Sequence, residues 1–372
     1  MMQFALTVKL LMNMHDLNNE RAEEIRRIPL IYSTKDGFKL VEEAVAVSGV
    51  MLKHWHAAYL SERAKSLGIN LCPLCKRGEA IRLPPMDILT RHKEEGSAEV
   101  QEEEFKKELQ KKSKKEEEVI EVIKEWLKAK EEKEIEKIKK YVKIIREGDE
   151  DAVIKECIGE DVHGFLRTRP PLRRESLIKF SWLLPIYIGD MPTPFRVVQH
   201  TRNIREIPKE LPGEFKQMQM PYPRSYADGI FGFTSVANLD NVGVSFSNGK
   251  NVLDDEDKKK RVRALIEAFI PMLTGACGAS LARALPAAKP LEVTVIVSKE
   301  AKISFPAPVH PIYEEYFDLN KGIFEGFSRV FNVDVTMYAY GTGKSERKDK
   351  FTIEIVGNPV EAFSKAIDYL NL

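Results

Sequence analysis

Leu291-Glu-Val-Thr-Val-Ile-Val-Ser298 predicts a strand at the centre of the fold, because most of its residues are β-branched. A helical pattern follows at residues 311–331, then strands at 333–340 and 351–356 and a closing helix at 359–370. At the start of the chain, residues 3–12 alternate loosely and predict another strand. The two ends of the chain therefore supply strands and helices to one domain.

The middle of the chain adds further elements of both kinds. A helix is predicted at 45–67 and an amphipathic helix at 255–273, with strands at 176–187 and 195–200. A long loop is expected at 208–223, followed by strand, turn and strand at 229–244. Strands and helices mixed in this order predict an α+β fold with an RRM-like, or ferredoxin-like, sheet.

One segment differs in kind, because charged residues of both signs dominate residues 91–150. Two apolar stripes run through it, and they consist of Val119, Ile120, Val122, Ile123, Trp126 and Leu127, and of Ile135, Ile138, Tyr141, Val142 and Ile145. This pattern predicts a solvated helical hairpin. We assign residues 87–150 to a helical insertion, and residues 1–86 and 151–372 to the main domain.

The composition limits the classes of function. The chain has 372 residues and a net charge of +1, so any nucleic-acid surface must be a local basic patch. Four cysteines are too few for a disulfide scaffold and indicate a reducing compartment. The apolar N-terminus is interrupted by Lys9 and is interpreted as a strand, and no apolar run is long enough for a bilayer. We expect a cytoplasmic protein without a membrane partner.

The start of the helix at 45–67 is a candidate phosphate site. Ser48-Gly49 precedes Lys53 and His54, and free N–H groups at a helix start attract phosphate. An ordinary capped helix is the alternative.

The pair Cys72 and Cys75 is half of a zinc site, and His54 with His56 is the candidate second half. Two histidines two residues apart point in different directions on a helix, so the helix would have to end early. A turn-forming or redox-inert cysteine pair is the alternative.

A basic cluster follows at residues 167–174. His163 precedes four arginines, which are Arg167, Arg169, Arg173 and Arg174. Arginine pairs with phosphate and stacks on bases, which suits RNA, and His163 is a candidate partner of a 2′-hydroxyl. The alternative is a loop that pairs with acidic residues of the insertion.

Two further segments carry candidate RNA contacts. His200 and Arg202 lead into the long loop, which is interpreted as a wedge between bases, a packing arm or a flexible connector. Gly278, Ser280 and Arg283 combine small residues with a charge, although a glycine-broken helix end is the alternative.

Catalytic signals are weak. His15-Asp16 resembles the paired residues of metal-dependent phosphohydrolases, but no matching set accompanies it. The Gly343-Lys344-Ser345 turn lacks the first glycine of a phosphate-binding loop. We therefore expect a protein that is not an enzyme.

Five segments together resemble the DevR-like backbone subunits of type I-A CRISPR (Cascade) surveillance complexes. They are Phe4 to Met12, Val47 to His56, Asp161 to Thr168, Arg224 to Gly232 and Gly278 to Pro286. The resemblance implies an RRM-like palm, a helical insertion as fingers and a β-hairpin thumb at about 190–228.

By this resemblance, copies of the chain stack head to tail along CRISPR guide RNA, next to other Cascade subunits. The guide then pairs with target DNA. No cofactor is required for this role. The residues predicted to contact RNA are Asn13, His15, Ser48, Gly49, Lys53, His54, His163, Arg167, Arg169, Arg173, Arg174, His200, Arg202, Gly278, Ser280 and Arg283.

Two other functions remain open at this level. One is a guide-processing endoribonuclease of the same superfamily, with His15 or His163 as general acid or base. The other is a general single-strand-binding protein that forms no filament.

Overall fold

The structure, a computed structural model, describes residues 1–15, 19–21, 24–34, 37–77, 112–168, 171–187, 195–203, 219–277 and 285–372. The strands are β1 (Gln3–His15), β2 (Asn19–Arg21), β3 (Glu24–Ile25), β4 (Arg27–Thr34), β5 (Gly37–Val45), β6 (Phe165–Thr168), β7 (Pro171–Arg174), β8 (Ile178–Phe180), β9 (Leu184–Ile186), β10 (Phe195–Asn203), β11 (Gln219–Asn238), β12 (Ala287–Ser298), β13 (Val335–Tyr340), β14 (Glu346–Lys348) and β15 (Phe351–Ile355). The α-helices are α1 (Gly49–Ser66), α2 (Lys112–Leu127), α3 (Glu132–Glu147), α4 (Glu150–Glu156), α5 (Ile158–His163), α6 (Asp255–Glu267), α7 (Tyr316–Phe331) and α8 (Pro359–Leu370). Short 3₁₀ turns cover Cys75–Arg77 and Ile270–Thr274. The predicted α+β class is confirmed.

The central feature is a nine-stranded mixed sheet built around β1. β1 pairs antiparallel with β11 on one side and with β12 on the other. Beyond β12 lie β13 and then β15, which runs parallel to β13, and β14 closes that edge. On the other side, β8, β9 and β10 pair with successive parts of β11. The first strand of the chain is therefore in the interior of the sheet.

Alternation along β1 divides the core into two layers. Phe4 and Leu6 point into one layer, which α1, α6 and α8 cover. Ala5 points into the other layer, where Phe324 and Phe327 of α7 are buried. Both faces of β1 are thus closed by helices, which explains its nearly continuous apolar sequence.

The charged segment contains the predicted helical hairpin. Residues 128–131 join α2 to α3, and the side chains that face inward, such as Val119 and Tyr141, are buried. These helices pack on Leu74 and on the cysteines near it. The hairpin therefore contacts the main domain through a small core of its own.

Several elements differ from those predicted. The hairpin β4–β5 was not predicted, because apolar residues such as Phe38 and Leu40 lie on its exposed face. Residues 176–187 form two short strands in place of one, and α1 begins at Gly49, so that residue 45 belongs to β5.

β11 is one unbroken strand where loop, strand and turn were expected, because glycines and prolines that signal turns are accommodated in it. A Cβ on Gly232 would lie 2.8 Å from Pro311 Cβ, so this glycine serves close packing. None of the described helices has the length and apolar composition needed to cross a bilayer.

Candidate nucleic-acid interface

The carboxyl end of β1 meets three other elements at one junction. Gly275 has a φ of +72°, and a Cβ there would lie 2.8 Å from Met12 Sδ and 3.3 Å from Ala288 Cβ. Only glycine fits this turn comfortably. From α1, the Tyr59 hydroxyl donates a 2.7 Å hydrogen bond to Ala276 O. We call this junction of β1, α1, the Gly275 turn and the start of β12 the β1 corner.

Predicted RNA-contact residues from two stretches lie at or beyond this corner. Asn13 is exposed at the end of β1. His15 pairs with Ala227 of β11, which pairs in turn with the first residue of β10. The hairpin β10–β11 therefore continues outward from the corner, and it carries His200 and Arg202 along β10. The register brings these predicted residues to one end of the sheet.

Four predicted residues lie outside the described part of the chain: Arg169, Gly278, Ser280 and Arg283. The chain on either side of residues 278–284 is nevertheless at the β1 corner. Cys277 follows the Gly275 turn directly, and Pro286 Cγ would lie 2.9 Å from a Cβ on Gly275. The described residues on either side of 278–284 thus lie at the corner.

One cation at the corner was missed in the sequence. Lys289 is exposed near the start of β12 and makes no salt bridge with any residue that the structure describes. It pairs with Leu11, while Asn13 pairs with Ala287, so Lys289 and Asn13 are on the same face of the sheet. Lys289 could have been recognised in the sequence as a lysine two residues before the predicted strand at 291–298.

The helix start at Ser48 has a structural role. Ser48 is buried and its Oγ accepts a 3.3 Å hydrogen bond from the N–H of Met51, which caps α1. A Cβ on Gly49 would lie 2.9 Å from the carbonyl oxygens of Phe180 and Ser181, so this glycine allows α1 to approach β8. Lys53 is half-buried and His54 is exposed on the same helix. Contact of these four residues with RNA stays a prediction.

The prediction that Arg174 contacts RNA is wrong, because Arg174 belongs to a buried ion-pair network. Its guanidinium donates to Asp161 Oδ1 at 2.6 Å and to Glu150 Oε1 at 3.0 Å, and its side chain has 0% exposure. Arg261 donates to the other oxygen of Asp161 at 3.0 Å. We call these four residues the Asp161 network. Their ion pairs join α4, α5, β7 and α6.

Arg167 and His163 are also buried, which corrects their predicted contact with RNA. Arg167 donates to Glu160 at 2.7 Å, and its exposed fraction is 2%. His163 Nε2 lies 3.1 Å from His56 Nδ1, and His56 Nε2 lies 3.0 Å from Leu265 O. A carbonyl only accepts, so neutral His56 donates from Nε2 and accepts the N–H of His163 at Nδ1. This histidine pair is therefore a hydrogen-bonded core feature.

Alternation on the hairpin β6–β7 explains which arginines are exposed. Arg173 and its cross-strand partner Leu166 lie on the outer face, whereas Arg174 and Phe165 lie on the inner face. Arg173 pairs with Glu175, which is also exposed, at 2.5 Å. Among the described members of the predicted basic cluster, Arg173 is the one that faces solvent.

Two of the four predicted zinc ligands, His54 and His56, are wrong. Cys72 and Cys75 do lie together, but the third member of the cluster is Cys157, and the ligand atoms of all three lie within 4.8 Å of one another. His56 is committed to His163 and Leu265, which removes it from this cluster. His54 is exposed on α1 and is not a member either. The three buried cysteines form a cluster that can bind a metal ion.

The Cys157 thiol is in an unusual electrostatic environment. Burial opposes its ionisation, but hydrogen bonds from Cys72, from Cys75 and from the backbone of Glu160 outweigh burial. They hold the pKa of Cys157 well below its ordinary value. By contrast, burial raises the pKa of the isolated Cys277 thiol to about 12. Burial raises the pKa of Cys72, and hydrogen bonding to Cys157 raises the pKa of Cys75, so the cluster favours one thiolate, at Cys157.

Comparison with known proteins finds relatives along most of the chain. The model of the family described as CRISPR-associated negative auto-regulator DevR/Csa2 matches residues 6–321. A Methanocaldococcus jannaschii protein named CRISPR-associated protein Cas7/Cst2/DevR is 36% identical over 203 residues, which cover 53% of this chain and 62% of the relative. A Saccharolobus solfataricus protein named CRISPR-associated protein Cas7/Csa2 1 is 25% identical over 370 residues, which cover 98% of this chain and 97% of the relative.

A solved structure shares the fold. A chain of a structure described as a CRISPR RNA-guided surveillance complex, pre-nicking, superposes with a TM-score of 0.53 and 13% sequence identity. The superposition covers 99% of this chain and 100% of that chain. At this identity the likeness concerns the fold alone.

Proposed function

Because the chain belongs to the DevR/Csa2 family of CRISPR-associated proteins, we propose that it is a non-catalytic subunit that holds the backbone of CRISPR guide RNA. Family membership confirms the resemblance found in the sequence. In the proposed role, the protein leaves the guide bases free to pair with target DNA, and other Cascade subunits complete the complex.

The single observation that carries the proposal is the convergence at the β1 corner. Asn13 and Lys289 on one face of the sheet, both flanks of residues 278–284 on the other face, and the base of the hairpin β10–β11 all lie at one end of the sheet. These elements come from four distant parts of the chain. A polar end with an exposed cation suits a sugar-phosphate backbone, which binds mainly through charge and hydrogen bonds.

The parts of the family's hand-like shape can be assigned to elements of this chain. The large sheet with α1, α6 and α8 would be the RRM-like palm, and the hairpin α2–α3 would belong to the fingers. The hairpin β10–β11 would be the thumb, which extends from the corner where RNA is expected. This assignment supports a guide that crosses the corner and is contacted by the thumb.

Two exposed apolar surfaces support the proposed head-to-tail polymerisation. One is the outer face of the hairpin β4–β5, where Ile31, Phe38 and Leu40 are 62%, 83% and 58% exposed. Ile31 lies directly opposite Leu40, and Phe38 is two residues from Leu40, so all three share a face. We call this surface the hairpin face.

The other surface runs along α7. Leu319, Ile323 and Val330 are 49%, 39% and 74% exposed, and their helical spacing places them on one stripe. Gly322 and Gly326 lie on the same stripe, and a Cβ on either would meet nothing within 4 Å. The stripe is therefore a shallow apolar groove, which we call the α7 groove.

A second copy of the chain is the occupant that fits both surfaces. The hairpin β4–β5 contacts the sheet through β9, outside β11, whereas helix α7 lies over β13 and β15 near the opposite edge. We propose that the hairpin face of one copy packs into the α7 groove of the next. Two different surfaces at opposite edges generate an open chain of subunits rather than a closed dimer.

The absence of catalysis is part of the proposal. His163, the candidate acid or base of the endoribonuclease alternative, has an exposed fraction of 1% and is bonded to His56. RNA holding requires no cofactor, and any zinc ion at the cysteine cluster would be structural. The free thiols fit assembly in a reducing cytoplasm.

Incubation of the protein with repeat RNA and chelator should leave the RNA intact, and cleavage that depends on His163 would favour the endoribonuclease.

Two exposed lysines at opposite ends of β12 test the position of the RNA. Lys289 lies at the β1 corner, and Lys302 lies just past the other end of the same strand. We expect Lys289→Glu to weaken binding of single-stranded RNA roughly tenfold at low salt and to lower the slope of log K against log salt by about one. Lys302→Glu should change the affinity less than about twofold. The measurement is fluorescence anisotropy over a series of salt concentrations.

Equal losses in the two lysine variants would contradict an interface at the corner. Wild-type binding that is flat from low to moderate salt would contradict backbone holding altogether, because contacts to phosphate release counterions. Regularly spaced helical particles on long RNA, seen by electron microscopy, would exclude the general single-strand-binding alternative.

A further inference from the structure

We propose that Cys72, Cys75 and Cys157 bind one zinc ion, which fastens both ends of the helical insertion to the main domain. The cysteines lie on the two sides of the insertion in sequence. Cys72 and Cys75 precede it, and Cys157 follows it at the junction of α4 and α5. This role is independent of the proposed RNA binding.

The spacing of the sulfur atoms suits a shared ion. All three lie within 4.8 Å of one another and are buried. In a tetrahedral site, Zn–S bonds of about 2.3 Å place the sulfurs about 3.8 Å apart. Small side-chain rotations therefore bring the three thiolates into the first coordination sphere, and one position remains for a further ligand.

The backbone around the first two cysteines is already arranged for a metal. The N–H of Cys75 donates to Cys72 Sγ at 3.3 Å, and the N–H of Lys76 donates to Cys72 O at 3.0 Å. These bonds hold both sulfurs on the same side of a tight turn. An N–H that points at sulfur stabilises a thiolate more than a thiol.

A glycine shapes the other side of the cluster. A Cβ on Gly159 would lie 2.9 Å from Cys75 Sγ and 3.5 Å from Cys157 Sγ. A larger residue there would push the sulfurs apart. The first turn of α5 therefore packs directly against the sulfur atoms of the cluster.

A buried charge near the cluster supplies an independent argument. Arg167 pairs with Glu160 through Nη2, while its Nη1 is buried and has no hydrogen-bond partner among the described residues. Glu160 is three residues from Cys157 and interacts electrostatically with its thiol. Glu160 already balances the charge of Arg167, so the unmet feature is the Nη1 donor, which an anionic zinc centre, with one net negative charge for three thiolates, would stabilise.

The mechanical consequence concerns α2 and α3. Their inward side chains, including Val119, Ile123 and Tyr141, pack on the same small core as the cysteines. This core holds few residues, so burial alone gives it limited stability. A metal that joins residues 75 and 157 closes the loop that contains both helices, which fixes their base on the main domain.

The experiment uses the full-length protein, purified with zinc and dialysed against metal-free buffer. We expect one zinc per chain by elemental analysis. Substitution with Co²⁺ should give the intense thiolate-to-cobalt charge-transfer band and the visible bands of a tetrahedral site. Cys157→Ala should lower the affinity for Co²⁺ at least 100-fold, whereas Cys277→Ala, which removes the buried thiol outside the cluster, should leave stoichiometry and spectrum unchanged.

Each outcome decides the proposal. Wild-type protein without zinc and without a thiolate band after exposure to Co²⁺ would overturn it, whether or not the Cys157 variant folds. Equal metal content in the two variants would overturn it as well. Loss of metal in the Cys157 variant with unchanged RNA affinity would support it and leave the RNA interface as a separate question.

Discussion

Replacing Arg174 with alanine is expected to lower the free energy of unfolding by about 3–5 kcal/mol. The substitution leaves Asp161 and Glu150 buried without their shared cation. It also removes the donor to the carbonyl oxygens of Val244 and Asn241, which lie 2.7 and 3.1 Å from the guanidinium. Buried carboxylates that lose their partner cost more than the pair contributes when it is intact. Denaturant unfolding followed by circular dichroism measures the change.

The neighbouring residue provides the control. Arg173 is on the same strand, its side chain is 68% exposed, and it pairs with the exposed Glu175. Arg173→Ala should cost less than about 1 kcal/mol. At temperatures where the Arg174 variant is still folded, its RNA affinity should equal that of the wild type. Similar losses of stability in the two variants, or a selective loss of RNA affinity in folded Arg174→Ala, would contradict the buried network.

Ile323→Asp is expected to abolish cooperative assembly on RNA. Ile323 lies in the middle of the α7 groove, so an aspartate there would be buried without a partner when the next copy docks. Such a charge costs about 3 kcal/mol at an interface, roughly 100-fold in the association constant between copies. Electron microscopy should show isolated subunits on long RNA in place of helical particles, and binding isotherms should lose their cooperativity.

A valine on the other face of the sheet controls for the introduced charge. Val360 of α8 is 44% exposed, and aspartate is well tolerated in the first turn of a helix. Val360→Asp should therefore assemble like the wild type. Phe38→Asp, on the proposed partner surface, should reproduce the defect of Ile323→Asp. Both the Ile323 and the Phe38 variant should bind a short RNA that holds one copy with unchanged affinity. Normal assembly of both variants on long RNA would contradict the proposed contact.

Local patterns in the sequence were enough for much of the fold. The β-branched residues of β12 and the apolar stripes of α2 and α3 predicted those elements, because each pattern directly reflects which side chains are buried. The start of α1 was placed four residues early, because apolar residues at the end of β5 continue the pattern. The hairpin β4–β5 was missed because exposed Phe38 and Leu40 break the rule that apolar residues face inward.

The candidate site was harder to predict, because its members are defined by partners distant in sequence. Four arginines near one another look like a basic patch, yet the alternation of β6 and β7 directs two of them into the core. In the core, Arg174 pairs with Glu150, an acid at the end of the predicted insertion. Pairing with acids of the insertion was the alternative interpretation of the basic cluster. Cys157 could not be assigned to the cysteine pair from spacing, since the whole insertion separates them. Charge counts and motif spacings do not show such contacts.

The interior position of β1 has a consequence for synthesis on the ribosome. Residues 3–15 leave the ribosome long before their two neighbours in the sheet, which are residues 219–238 and 287–298. This apolar strand therefore has no partner until β11 has been made, and it gains its second neighbour only when β12, which ends at Ser298, has followed. Nascent chains that stop before β12 should therefore expose apolar surface, aggregate and depend on chaperones. The sheet should form late and slowly.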